Sequence, residues 1–418
     1  MNDTRDFQPN PSPGRLGEIL QLFLRLGAIG FGGPQAHIAM IHDEAVVRRG
    51  WLEEAQFLEG VAVCEMLPGP ASTQMGIYTG YLRAGPLGAL GAGICFILPA
   101  FIIVLSLSWA YFRFQGVPQI TALFFGISPV VIAIIVAFCW KQGQKVIRDW
   151  PAVAIALTVG LIHGYLHTSV LILFLLAGGL GLAIYPPPQS GPGTTAHHQG
   201  WWLPLPGLIQ LTGIVANLPV ETLSVASFWG LERIQTYLLP LTGFFIQVGA
   251  LVFGGGLVII PLLESTVVYN FHWLTHSEFI DGVALGSITP GPVVITAAFV
   301  GYKVAGALGA LAATVGIFAP SFAFIMAATP FLRRLRQKLW VKSFLKGVMP
   351  AVLGVIGAAV LPLAQTALFH STWLRTGVAV TVALLALLAQ VGWRQPTWQL
   401  VTAGALVGLI ASSLLPLG

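Results

Sequence analysis

Two short stretches place prolines and hydroxyls inside otherwise apolar sequence, the first with a carboxylate at its head: EMLPGPASTQ (Glu65–Gln74) and SITPGPVVIT (Ser287–Thr296). Proline has no N–H and clashes with the carbonyl one turn back, so Pro68, Pro70, Pro290 and Pro292 cannot sit inside uninterrupted helices. A helix broken in this way presents free N-terminal amides and the positive end of its dipole, which together bind anions. Gly69 and Gly291 keep side-chain volume away from those amides. A second pair of breaks is FGGP (Phe31–Pro34), with Gly32 and Gly33, and FGGG (Phe253–Gly256), with Gly254 and Gly255. Carboxylates stand close by. Glu59 and Asp281 each lie nine residues before the first proline of their PGP, and Glu65 lies nearer still. Beside a bound anion a carboxylate is repulsive unless it is protonated or paired with an arginine. Alternating protonation and anion binding is therefore the chemistry these positions can couple.

The elements that carry these groups belong in a bilayer. The chain has 418 residues, 56% hydrophobic and 8% charged, with a mean hydropathy of +0.83. Soluble domains average about 25% charged residues. Leu87–Ala110, Ile120–Trp140, Ala307–Ala328 and Gly377–Trp393 approach the ~20 apolar residues of a membrane span. The composition predicts an all-α polytopic integral membrane protein. Its net charge of +5 reads as basic cytoplasmic loops rather than nucleic-acid affinity. The polar, Pro-rich start lacks the pattern of a cleaved signal, and Cys64, Cys95 and Cys139 imply no disulfide framework.

The chain repeats itself. Phe31 and Phe253, Trp51 and Trp273, and Pro68 and Pro290 are each separated by 222 residues; Gly85/Gly306, Pro99/Pro320, Gly126/Gly347 and Pro129/Pro350 by 221. Two homologous halves follow, at 15–184 and 208–418, after a polar tail at 1–14 and joined by a Pro/Gly-rich linker at 185–207. Duplication is incomplete: Ser287 replaces Glu65 and Gly256 replaces Pro34, so the half-sites are unequal. Basic residues gather at Arg48–Arg49 and Lys141–Arg148 in the first half, but between Arg333 and Lys346, the equivalent of the Arg113 loop, in the second. By the positive-inside rule corresponding loops face opposite sides, which predicts an inverted-topology repeat of the kind found in secondary transporters. Arg48–Arg49, Lys141–Arg148 and Arg333–Lys346 are expected inside, and Pro362–Thr372 outside. The FGG and PGP segments are expected to be broken or re-entrant helices, which bilayers tolerate only where the backbone is buried in protein or lines a wet cavity.

On the motifs FGGP, EMLPGP, FGGG and ITPGP, duplicated at fixed spacing, the chain resembles the chromate ion transporter (CHR) family in its long-chain, two-half form, the ChrA type. The resemblance spans about Leu16 to Pro362. It implies export of chromate across the cytoplasmic (inner) membrane, driven by a proton gradient or by anion exchange, and hence chromate resistance. A sulphate or other oxyanion importer or exchanger of the same architecture is the alternative. Chromate is a tetrahedral dianion that needs several donors in a low-dielectric site. Ser72, Thr73 and Gln74 after one PGP, and Thr289 and Thr296 around the other, supply small polar groups. Arg25, before the FGGP break, is the cation best placed to meet the dianion, with snorkelling to the interface as the other reading. Glu65 is the more specific proton-carrier candidate, and Glu59 and Asp281 form a matched pair. Capping of a helix start is the structural alternative for these carboxylates.

No enzyme is expected. The chain lacks a Walker motif, a dinucleotide fingerprint and a catalytic triad pattern. His37, His42, Asp43 and Glu44, and the linker's His197 and His198, have no metal-site spacing, so no metal or cofactor is expected. The expected partners are chromate, with sulphate as a second oxyanion, and lipid. Oligomeric state stays open, a homodimer included.

Overall fold

The structure is a computed structural model that describes residues 13–166, 168, 170–186, 225–252, 256, 259–329, 339–393 and 395–414. Helices make up nearly all of it, with no strand among the described residues. The first half contains α1 (Pro13–Ile29), α2 (Pro34–His42) continuing as a π-helical turn over Asp43–Arg48, α3 (Glu54–Met66), α4 (Ala71–Phe114), α5 (Pro118–Val146), α6 (Trp150–Leu166) and α7 (Val170–Ile184). The second contains α8 (Val225–Trp229), α9 (Leu231–Gly249), α10 (Ile259–Leu263) with its π-helical turn Glu264–Asn270, α11 (His276–Ile288), α12 (Thr296–Ala328), α13 (Leu339–Leu368), α14 (Trp373–Gly392) and α15 (Thr397–Leu414). Six segments among the described residues, in α4, α5 and α12–α15, are long and apolar enough to cross a membrane.

α4 has 44 residues, which at 1.5 Å each would reach about 66 Å, twice a bilayer's hydrocarbon depth. It does not run straight. Ala84 and Gly85 leave helical geometry, with Gly85 at φ 65, and Ala305 and Gly306 do the same in α12, with Gly306 at φ 62. Pro86 restarts the helix, where its missing N–H matters least. A side chain on Gly80 would strike the Gly88 carbonyl, and one on Gly301 the Gly309 carbonyl, so the arms cross in backbone contact. Small residues permit that approach in lipid.

The first arm of α4 folds back on α3. Tyr78 Oη donates to the Gln56 carbonyl at 3.1 Å, a Cβ on Gly60 would meet the Tyr78 ring, and Cys64 Sγ lies 3.8 Å from Met75 Sδ. These contacts make α3 and the first arm an antiparallel hairpin bent at Pro68-Gly69-Pro70. The second half repeats it: a Cβ on Gly282 would meet Phe299, and one on Gly286 would meet Thr296 Oγ1.

The bundle has two distinct ends. At the first, Arg83 lies 3.2 Å from Glu18, and Arg49 and Arg83 each stand 5.1 Å from the Trp51 ring. Lys346 caps the Tyr185 ring at 5.2 Å there, and Tyr185 Oη donates to Asp149 at 2.6 Å. The Tyr185 hydroxyl and the Ala152 N–H, with Lys346 adding less, hold the exposed Asp149 carboxyl below the usual carboxylate range. The second arm of α4 then runs some 26 residues, about 39 Å, to Phe112. At that far end Lys303 sits 4.9 Å from the Phe112 ring and pairs with Glu278 at 2.7 Å. Phe125 packs on His370 at 4.9 Å between ring centroids.

The last helices of each half pack on the other half. A Cβ on Gly347 of α13 would strike the Ala177 carbonyl of α7, and one on Gly354 the Ala156 carbonyl of α6. A Cβ on Gly126 of α5, the counterpart of Gly347, would strike the Gly404 carbonyl of α15. The halves thus exchange their C-terminal helices.

Candidate functional site

The two PGP loops meet across the pseudo-symmetric contact. Gly69 N–H donates to the Val252 carbonyl at 2.6 Å, and Gly291 N–H donates to the Gly30 carbonyl at 2.7 Å. Val252 is the counterpart of Gly30 and Gly291 that of Gly69, so the bonds are reciprocal. Each hairpin tip caps the carbonyl end of the other half's entering helix. Each arm is 13 residues or about 20 Å long, which puts the tips midway between the two ends.

Among the described residues, polar groups without partners gather mainly at the first tip. Ser72, Thr73, Gln74 and Ser321 are 0–1% exposed. Ser72 Oγ, Thr73 Oγ1, Gln74 Oε1 and Ser321 Oγ have no hydrogen-bond partner, although buried hydroxyls and amides are nearly always satisfied. Gln74 Nε2 donates to the Pro68 carbonyl at 2.6 Å, turning the amide over the loop. Gly69 adopts φ 130; a Cβ there would clash with Ser321 Oγ and stand 2.5 Å from Gln74 Nε2. α4 begins directly after Pro70 without a side-chain cap. Ser321 and Gln74 therefore meet at Gly69, and the first turn of α4 beside them buries the Ser72 and Thr73 hydroxyls with hydrogen-bonding capacity unspent.

The second tip is chemically quieter. Gly291 faces Ala100, the apolar counterpart of Ser321. Thr289 Oγ1 donates to the Leu285 carbonyl at 2.6 Å and Thr296 Oγ1 to the Val293 carbonyl at 2.9 Å, so both hydroxyls are spent on their own helix. Ser287 Oγ alone remains without a partner there. At the FGG breaks, Gly32 and Gly33 adopt φ 115 and 82, whereas Gly254 and Gly255 lie outside the described residues. His37 Nε2 bonds the Gly30 carbonyl at 2.8 Å, bracing the first break.

The charged candidates separate. Arg25 is drawn to a carboxylate, not to the loop: its side chain is 61% exposed and lies 3.9 Å from Glu44. Glu44 also holds Arg48 and Arg49 at 3.1 and 3.2 Å. A long cationic stem in an apolar helix reaches the nearest acid while its charge stays wet. Glu65 is exposed and Glu59 half-buried, whereas Asp281 is 4% exposed. Tyr111 Oη approaches Asp281 Oδ2 at 2.8 Å and Ser128 Oγ approaches Oδ1 at 3.3 Å. Both partners come from the first half. Their counterparts are Leu332 and Met349, so the matched pair is unequal. No cluster of three or more His, Cys, Asp or Glu suited to a metal occurs among the described residues.

Ser321, Tyr111 and Ser128 escape a reading based on shared motifs. Each is a departure from duplication, polar where its counterpart Ala100, Leu332 or Met349 is apolar, and that contrast is the signal that would have found them. A further departure pairs across the halves. His42 Nε2 lies 2.8 Å from Glu54, and at the matching positions Glu264 lies 3.8 Å from His276, acid and base exchanged.

Helical spans broken midway, two duplicated halves and a polar cluster at one break define a multi-pass membrane transporter. A family model described as chromate transporter matches residues 17–182 and 239–409. The chain is 34% identical to the chromate transport protein of Cupriavidus metallidurans, over 96% of this chain and 94% of that one. It is 33% identical to the probable chromate transport protein of Synechococcus elongatus, covering 94% and 95%. With the chromate transport protein of Pseudomonas aeruginosa the identity is 31%, covering 90% and 88%. The chain belongs to the chromate transporter family. No solved structure matches it.

Proposed function

We propose that the protein is a secondary active transporter that exports chromate across the cytoplasmic membrane, coupled to a proton gradient or to anion exchange, and so confers chromate resistance. The observation that carries the reading is the set of buried, unpartnered groups around Gly69: Ser72, Thr73, Gln74 and Ser321 with the uncapped start of α4. A tetrahedral dianion supplies the acceptors that the Ser72, Thr73 and Ser321 hydroxyls lack, and Gln74 Nε2 keeps a second N–H beyond its bond to the Pro68 carbonyl. Neutral donors and a helix N-terminus hold an anion without a fixed counter-charge, which favours release. Arg25, engaged with Glu44, serves the approach rather than the bound state. The named function of the relatives supports chromate as the substrate.

Basic residues collect at the end that holds Arg49, Arg83, Asp149 and Lys346, and that end is assigned to the cytoplasm. Corresponding elements of the two halves then enter from opposite sides, with the α3–α4 hairpin re-entrant from the cytoplasm and the α11–α12 hairpin from outside. Halves at 15–184 and 208–418, joined at 185–207, complete this inverted repeat. In everted vesicles, chromate accumulation under an imposed proton or sulphate gradient tests the reading. Accumulation that responds to neither gradient sinks it. Sulphate displacing labelled chromate without itself being moved would keep chromate as cargo.

A further inference from the structure

Resting on the proton-coupled form of that reading, we propose that Asp281 is held as the neutral acid where the two halves meet, and that it is the group that carries the coupling proton, with Tyr111 and Ser128 as positioning residues. The argument is a count of hydrogens. Ser128 has one hydroxyl hydrogen and two acceptors in reach, the Phe124 carbonyl at 2.8 Å and Asp281 Oδ1 at 3.3 Å. The shorter contact takes it. The Oδ1···Oγ contact then holds a hydrogen only if the carboxyl supplies one. With Oδ1 protonated the set closes: Tyr111 Oη–H donates to Oδ2, Oδ1–H to Ser128 Oγ, and Ser128 Oγ–H to the Phe124 carbonyl. Every donor has an acceptor.

An ionised Asp281 would leave that count short and a buried charge uncompensated. Among the described residues, the charged and titratable groups on the elements around it offer no cation. On its own helix Glu278 is engaged with Lys303 of α12, and His276 faces Tyr269 and Glu264. Arg233 of α9 donates to the Lys303 carbonyl at 3.4 Å, and Arg113 of α4 stands 5.8 Å from the Phe114 ring. Lys141 and Lys145 of α5, and Lys346 of α13, lie toward the other end of the bundle, and α15 carries no charged residue. Release of the proton breaks the Oδ1–H bond, passes the proton to water and leaves one negative charge. That charge is tolerable only where water replaces Tyr111 and Ser128. Both come from the first half and Asp281 from the second, so any shift between the halves that admits water there also exposes the acid. The proton and the alternation of the halves are thereby linked by geometry.

Infrared spectroscopy of the reconstituted full chain tests the protonation state directly at neutral pH. The wild type is expected to show a protonated-carboxyl C=O band that Asp281→Asn removes. Tyr111→Phe and Ser128→Ala should shift that band without abolishing it, because each deletes one hydrogen bond to the acid. Asp281→Glu keeps an acid and should keep a displaced band, covering the case in which the amide variant misfolds. A spectrum that Asp281→Asn leaves unchanged, with the protein folded, overturns the proposal. This arm uses no chromate and so stands or falls apart from the substrate assignment. In vesicles, Asp281→Asn should retain exchange of labelled for unlabelled chromate while accumulation falls to the equilibrium level. Full proton-driven accumulation in that variant would remove Asp281 from the carrier role even if the band is its own.

Discussion

Substituting Gly69 by alanine adds one methyl at the centre of the candidate site, and the structure sets what it must displace. At φ 130 an alanine is strained, which costs about 1–3 kcal/mol. Its Cβ overlaps Ser321 Oγ and presses on Gln74 Nε2, so the Gln74 bond to the Pro68 carbonyl is lost, worth a further ~0.5–1.5 kcal/mol. Together these reach about 1.5–4.5 kcal/mol. If they fall on the bound state they weaken chromate binding about 10- to 1,600-fold at 1.4 kcal/mol per decade. Gly291→Ala is the internal control. It carries similar strain at φ 101 but meets only the Ala100 methyl, at 2.9 Å, so it should lower thermal stability and leave chromate affinity within a few fold. Equilibrium dialysis of purified protein reads affinity, and a thermal shift assay reads stability. Adding Ser321→Ala to Gly69→Ala relieves the overlap, so stability should partly return while binding does not, because the proposed site uses that hydroxyl as a ligand. Gly69→Ala protein that melts normally and binds chromate at wild-type affinity would refute the placement of the site.

Gln74→Leu and Ser321→Ala should each weaken chromate binding by about 1–2 kcal/mol, or 5- to 30-fold, with Thr296→Val nearly silent because its hydroxyl is spent on its own helix; dialysis checks all three. Exchanging the pair as His42→Glu with Glu54→His recreates the arrangement found at Glu264 and His276. It should recover most of the stability lost in either single variant, roughly 0.2–1 kcal/mol for a pair this exposed, read as a melting temperature. Gly347→Val should destabilise by about 1–3 kcal/mol through overpacking and loosen α7 from α13.

Composition alone settled the solvent, because 8% charge in 418 residues is incompatible with a water-soluble core. The repeat and its breaks were equally legible: Pro68-Gly69-Pro70 and Pro290-Gly291-Pro292 must interrupt helices wherever they fall. The FGG and PGP motifs led to the family. Individual side chains were less legible. Glu65 lies three residues from the first proline yet is exposed, and Arg25 precedes the break yet faces Glu44, because a helix turns consecutive residues to different neighbours. Distance along the chain does not say which. Only the tertiary structure bonded Gly69 to Val252 and Gly291 to Gly30, brought Ser321 to the first tip, and set Tyr111 and Ser128 against Asp281. Each of these joins the two halves. The duplicated pattern fixes what each half builds alone, while contacts between halves depend on positions where the copies differ and on small residues such as Gly126 and Gly347 that admit a neighbour's backbone.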